Sequence, residues 1–179
     1  MIMKKKGQVW VETVIYTLIG LTLIGLILAF ATPAIQKQKD RITIERTTEA
    51  MITLQNNIAT VKLNGPSDSK ESALTISRGK LTINSNNEKI TFQIEDSSYA
   101  PSEPGINTEL PGTDLLMLTE KKGKKFQTKI ILDYTEKLNI TYMGKDTEKV
   151  ITPAAAPYLL ICENLGKTGS LTQINFYMS

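Results

Sequence analysis

The chain has no histidine and one cysteine. Without histidine, imidazole metal sites and Ser-His or Cys-His nucleophile pairs are excluded. One cysteine excludes any disulfide within the chain. Cys162 sits in the apolar run 158–162 and reads as a small buried hydrophobe, an intermolecular disulfide being the sharper alternative. There is no phosphate-cradling glycine loop. Asp114, Asp133, Glu136, Asp146, Glu148 and Glu163 lack the repeated close spacing of a calcium loop or of paired catalytic acids, and read as surface residues. The expectation is therefore no catalytic residue, no metal, no cofactor and no enzyme.

Excess charge is also scarce. The formal net charge of +3 equals the contribution of Lys4, Lys5 and Lys6; without them Lys+Arg falls from 21 to 18, against 18 Asp+Glu. A neutral body argues against nucleic-acid binding, which needs a basic face to displace counterions.

What is present is concentrated near the N-terminus. Lys4, Lys5 and Lys6 precede Gly7 and Gln8, and an apolar segment over residues 13–35 follows. As a helix, 23 residues reach about 35 Å, enough to cross a hydrocarbon core of about 30 Å. A secretory signal is cut after its apolar region; here the candidate cut precedes it, so cleavage leaves the anchor in place. Lys37, Lys39 and Arg41 follow the segment and oppose the orientation bias of the first three lysines. Gly20 and Gly25 allow close approach of a neighbouring helix, and Pro33 is expected to kink the chain at the membrane exit. Glu12 is the exception to the apolar pattern. A carboxylate at the centre of a membrane helix costs about 2.5–3.5 kcal/mol, less near an end, and wants a cationic partner. Cutting after Gly7 would make Gln8 an α-ammonium, and that amine on a neighbouring subunit could set helix register by pairing with Glu12.

The order Lys6-Gly7-Gln8, Glu12 in the fifth place after the cut, and an uncharged run resembles the class III signal peptide of archaeal type IV pilin-like proteins. The likeness covers roughly residues 4–36, about a fifth of the chain; Trp10, bulky in the third place after the cut, departs from the pattern. The resemblance implies cleavage between Gly7 and Gln8 by a prepilin (class III signal) peptidase and bundling of the helices into a filament core. It implies as partners like or different pilin-like subunits, membrane lipid before assembly, and an assembly ATPase with its membrane platform. It places the N-terminus in the cytoplasm and the assembled filament at the cell surface. Adhesion, motility and DNA uptake all stay open as the filament's task. The alternative is a single-span, membrane-anchored extracellular binding protein with an uncleaved leader.

The helical pattern continues beyond the span. Ile44, Met51, Leu54, Ile58 and Val61 form an apolar stripe, while Lys37, Lys39, Asp40, Arg41, Glu45, Arg46 and Glu49 fall on other faces, with Arg41 and Glu45 placed to pair. Asn64-Gly65-Pro66 ends the helix. An element over residues 8–63 would be about 80 Å long.

From residue 67 the period changes to two, and residues 67–179 read as an extracytoplasmic β-rich head. Residues 73–77 and 80–85 are expected to form a hairpin around Arg78-Gly79, with 89–95 a third strand. Residues 97–112, holding three prolines and two glycines, read as a long irregular connection that is mobile at the surface. A second hairpin, 114–120 with 126–134, carries four lysines around Gly123; such a run can meet a polyanion, though it usually only solvates a turn. Further strands are expected at 138–143, 150–152, 158–163 and 171–178, the last paired in the sheet. Asn139-Ile140-Thr141 is a possible glycosylation site at Asn139. The fold class expected is α+β: a long N-terminal helix and an antiparallel head, either a sandwich or a partly open barrel.

Overall fold

The structure, a computed structural model, describes the backbone of residues 5–178 and the side chains of residues 10–178. It is α+β, with one long N-terminal helix followed by antiparallel-rich sheets and no closed barrel. The chain divides between Lys39 and Asp40 into two compact units.

Helix α1 runs Lys5–Asn64 and continues through Pro33. It stops where foreseen: Gly65 takes a φ of 97°, a left-handed conformation that glycine adopts without steric cost. Over residues 13–35 the helix is apolar around its circumference. In the second unit its stripe is fully used, with Ile44, Met51, Leu54, Ile58 and Val61 each no more than 2% exposed. Arg41 Nε meets Glu45 Oε1 at 2.7 Å, the expected one-turn pair.

Among the described residues ten strands make two sheets. The first, four-stranded, has the order β1 (Ser69–Leu74), β9 (Tyr158–Thr168), β10 (Leu171–Met178), β7 (Leu138–Tyr142). The second, six-stranded, has the order β4 (Asn107–Glu109), β5 (Leu115–Lys122), β6 (Lys125–Asp133), β3 (Lys89–Ser97), β2 (Lys80–Asn84), β8 (Glu148–Ile151). Alternate residues of both sheets and the α1 stripe share one core, including Leu81, Ile83, Ile90, Ile130, Leu160, Ile174 and Phe176. Every named pair is antiparallel except β10 with β7. The last strand is indeed paired, on both sides.

Three local expectations are corrected. There is no hairpin around Arg78-Gly79: β1 pairs with β9 (Leu74 opposite Tyr158), whereas β2 pairs with β3 and β8. Residues 75–79 instead carry the chain from one sheet to the other. Gly79, at φ 90°, lies so close to β3 that a Cβ there would sit 2.4 Å from the Gln93 carbonyl oxygen. Residues 97–112 are not a free connection, for they include β4 and are tied down by Gly105 N donating to Thr119 O (2.7 Å) and by a Ser102–Thr119 hydroxyl contact (2.7 Å). And Asp40 is not a solvated residue on an outer face: it is 2% exposed.

Candidate functional site

The candidate processing residues Lys6, Gly7 and Gln8 lie in the part of α1 whose side chains are outside the described residues, and Lys4 lies outside altogether. From Trp10 onward the helix can be read in detail. Its large apolar side chains are uncovered on every face: Leu18, Leu21 and Phe30 are 65%, 64% and 79% exposed. Among the described residues, α1 is the helix long and apolar enough to cross a membrane, with a window of mean hydropathy 2.5, none of it buried by the rest of the chain. Three threonine hydroxyls within it are satisfied internally. Thr17, Thr22 and Thr32 each donate their hydroxyl to the carbonyl four residues back, at 2.8, 2.8 and 2.7 Å. In hydrocarbon this matters, since an unpaired polar group there costs several kcal/mol. At Gly20 and Gly25 an added Cβ would meet nothing within 4 Å, leaving flat places for another helix.

Glu12 is exposed between Val11 and Val14. Among the described residues no cation lies within ion-pair distance of Glu12.

Within the head unit the helix is fixed at its first residue. Asp40 accepts from Arg78 Nη1 at 2.5 Å and from the Ser98 amide at 2.6 Å, while Arg78 Nη2 donates to Glu95 O. Arg78 from the crossover and Ser98 just past β3 thus close a charge-assisted clamp on the buried carboxylate of the helix. Asn164 does the same at the other end, its Nδ2 donating to Val61 O at 3.0 Å and its backbone exchanging bonds with Ser67 and Asp68. Sequence reasoning missed both, because each joins residues far apart in the chain.

A groove of about 450 Å³ opens between this part of α1 and the 75–79 crossover. Its floor is apolar, with Met51, Leu74, Leu81 and Phe92, and Arg46 and Arg78 stand at its rim. The surface acids Asp114, Asp133 and Glu136 come together with Glu109 around a shallow cleft, whereas Asp146, Glu148 and Glu163 do not join it. Among the described residues there is no group of three or more His, Cys, Asp or Glu that could hold a metal.

Cys162 is fully buried, as read, and burial pushes its thiol up to about 11, so it stays protonated and unreactive near neutrality. Asn139 is half-buried on β7, an edge strand, and the Thr141 hydroxyl donates to Asn175 Oδ1 at 3.2 Å. The sequon is therefore held in a sheet.

No family model matches the chain, and no curated protein or solved structure matches it.

Proposed function

We propose that the chain is a pilin-like structural subunit of an archaeal type IV pilus-type surface filament, cut between Gly7 and Gln8 by a prepilin peptidase and assembled through its N-terminal helix. The observation that carries this reading is the uncovered helix itself. An apolar surface exposed on all sides demands lipid or other helices, and here it directly follows the Lys-Gly-Gln motif with Glu12 in the fifth place. Lipid would cover it before assembly and the helices of other subunits afterwards. Glu12 would then pair with the amine of an incoming subunit in the low-dielectric bundle, selecting one axial register among many apolar ones. The β-rich head stays outside the bundle. The assembly ATPase, membrane platform and cell-surface location belong to this reading as well.

The head groove favours a second reading, a membrane-anchored binding protein with its leader intact, since an apolar floor with a basic rim suits a small amphipathic anion. One measurement separates the two: the N-terminal residue of the protein recovered from its native membranes, by peptide mass spectrometry that also searches for cyclised Gln8. A start at Gln8 is expected. An intact N-terminus in the mature pool would leave the anchored binding protein as the better account.

A further inference from the structure

The β5–β6 hairpin ends in four lysines. Lys121, Lys122 and Lys124 are exposed, and Lys122 stands directly opposite Lys125 across the two-residue turn Gly123-Lys124. Like charges placed opposite each other weaken a strand pair. No carboxylate within ion-pair distance offsets them among the described residues. Glu120, the acid next to Lys121 on β5, is matched with Lys129 at 3.3 Å. Protection of a sheet edge is a weak explanation. Beyond the Pro104–Thr119 bridge on one side and the Ser97–Phe126 pair on the other, β5 has three residues left to protect and β6 one.

The tip also occupies a defined end of the head. Lys125 Nζ donates to Ser98 Oγ, and the Ser98 amide donates to Asp40, the first residue of the head unit. Asp40 follows the end of the apolar segment by five residues. Five residues of chain reach at most about 18 Å in any conformation. If residues 13–35 span a bilayer, the short chain between Ile35 and Asp40 leaves its headgroups within reach of the lysine tip. Lys62 is 22 residues further along α1 than Asp40, about 33 Å of helix, and Lys167 follows Gly166, which packs on Pro66 just past the helix end.

We propose that this basic tip docks the head onto the anionic headgroups of the bilayer that holds its own helix. The inference rests on the membrane-span part of the proposed function and not on filament assembly. Lysine ammoniums are compact point charges, and residues 121–125 hold no arginine for bidentate phosphate contacts and no aromatic for base stacking. That composition fits a diffuse anionic surface better than a nucleic acid. Each lysine near such a surface strengthens attachment about fivefold, and the attraction is screened beyond roughly 10 Å at moderate salt. Docking of this kind would hold the tip of an unassembled subunit's head at the membrane and would end once the helix leaves the lipid.

The test uses the full chain in nanodiscs, of phosphatidylcholine alone or mixed with phosphatidylglycerol, with the acetylation rate of each lysine read by mass spectrometry. On anionic discs Lys121, Lys122 and Lys124 should react about tenfold more slowly than on neutral discs, with Lys62 and Lys167 unchanged and the protection lost in high salt. Lys122→Glu, which also removes a like-charge opposition, should weaken the protection of Lys121 and Lys124 without unfolding the head. Equal rates on the two discs would overturn the proposal. So would protection by added duplex DNA or dextran sulfate on neutral discs with no effect of phosphatidylglycerol, which would assign the tip to a soluble polyanion. A chain that never enters the discs would overturn the membrane span, and the docking with it.

Discussion

Two stretches of one helix solve the same problem in opposite ways. Residues 44–61 are apolar on a single stripe, and the head covers that stripe almost completely; residues 13–35 are apolar on all faces, and nothing among the described residues covers them. The first stretch finds its partner inside the molecule; the second has no cover among the described residues. The largest contrast should appear in a matched pair of truncations. Leu54, fully buried, should cost the head about 3–4 kcal/mol when changed to alanine, from lost burial and the cavity left behind. Leu21, 64% exposed, should cost head stability less than about 0.5 kcal/mol for the same change. Denaturant unfolding in detergent, followed by signals from the β head, measures both. A large loss from Leu21→Ala would mean that the chain covers its own apolar helix, and the comparison would fail.

The boundary between the two stretches is Asp40, and the next effect is expected there. Removing one partner of a buried charge pair leaves the other uncompensated, which costs about 3–5 kcal/mol when both are deeply buried. Arg78 keeps 34% of its side chain exposed and retains the Glu95 carbonyl, so Asp40→Ala should cost less, about 2–3 kcal/mol. Adding Arg78→Ala should cost little more, giving a coupling energy of at least about 1 kcal/mol in the double-mutant cycle. Hydrogen exchange should show the first head turn of α1 opening in the Asp40 variant and the Leu54 turn staying closed.

This division explains what could be read from the residues alone. The uncovered stretch, the buried stripe and the stop at Gly65-Pro66 depend on periodicity and local backbone preference, which a sequence displays directly. The β2–β3 and β5–β6 hairpins were legible for the same reason, since their strands are joined by tight turns. What escaped was long-range. β1 pairs with a strand 84 residues onward (Leu74 with Tyr158), so Arg78-Gly79 looked like a hairpin turn when it is a crossover. Asp40 looked like one more solvated charge on a helix, because its partners lie 38 and 58 residues away. The β10–β7 parallel pair left no local trace at all. Of the candidate site, Glu12 could be picked out as a lone charge in an apolar run, whereas the groove above Met51 depends on the crossover and could not.

A smaller effect should distinguish the head by pH. Asp133 is held at about 2 by the Thr135 hydroxyl at 2.6 Å, by Lys89 at 2.9 Å and by the Thr135 amide at 3.1 Å, against the opposing effect of burial. Its folded value lies below its unfolded one, so its contribution is complete above about pH 4 and is lost as pH falls toward 2. With a side chain 31% exposed, solvent screening reduces that contribution to about 1 kcal/mol or less. Glu88 works the other way. Burial raises its carboxyl, with Asp146 adding to the shift, so protonation on the way down relieves a penalty and partly offsets the loss. Asp133→Asn should flatten the acid limb of head stability between pH 4 and 2, and an unchanged limb would locate the acid sensitivity elsewhere.

The smallest effect on the fold is expected at Glu12, and that smallness is informative. Glu12 touches no core, so Glu12→Ala should leave head unfolding unchanged within about 0.5 kcal/mol. Membrane insertion should be no worse, since the change removes a carboxylate from an apolar helix. If the carboxylate only adorned an anchor, nothing further would happen. If it sets register between helices, the variant should insert normally, be cut normally, and yield few filaments by electron microscopy of sheared cells. Glu12→Gln sharpens the point, because it keeps the size and hydrogen-bonding capacity and removes only the charge that attracts an amine. Loss of filaments in both variants would tie assembly to that charge. Full yield from Glu12→Ala would leave helix packing to apolar contacts alone, and the uncovered stretch would then need no ionic partner.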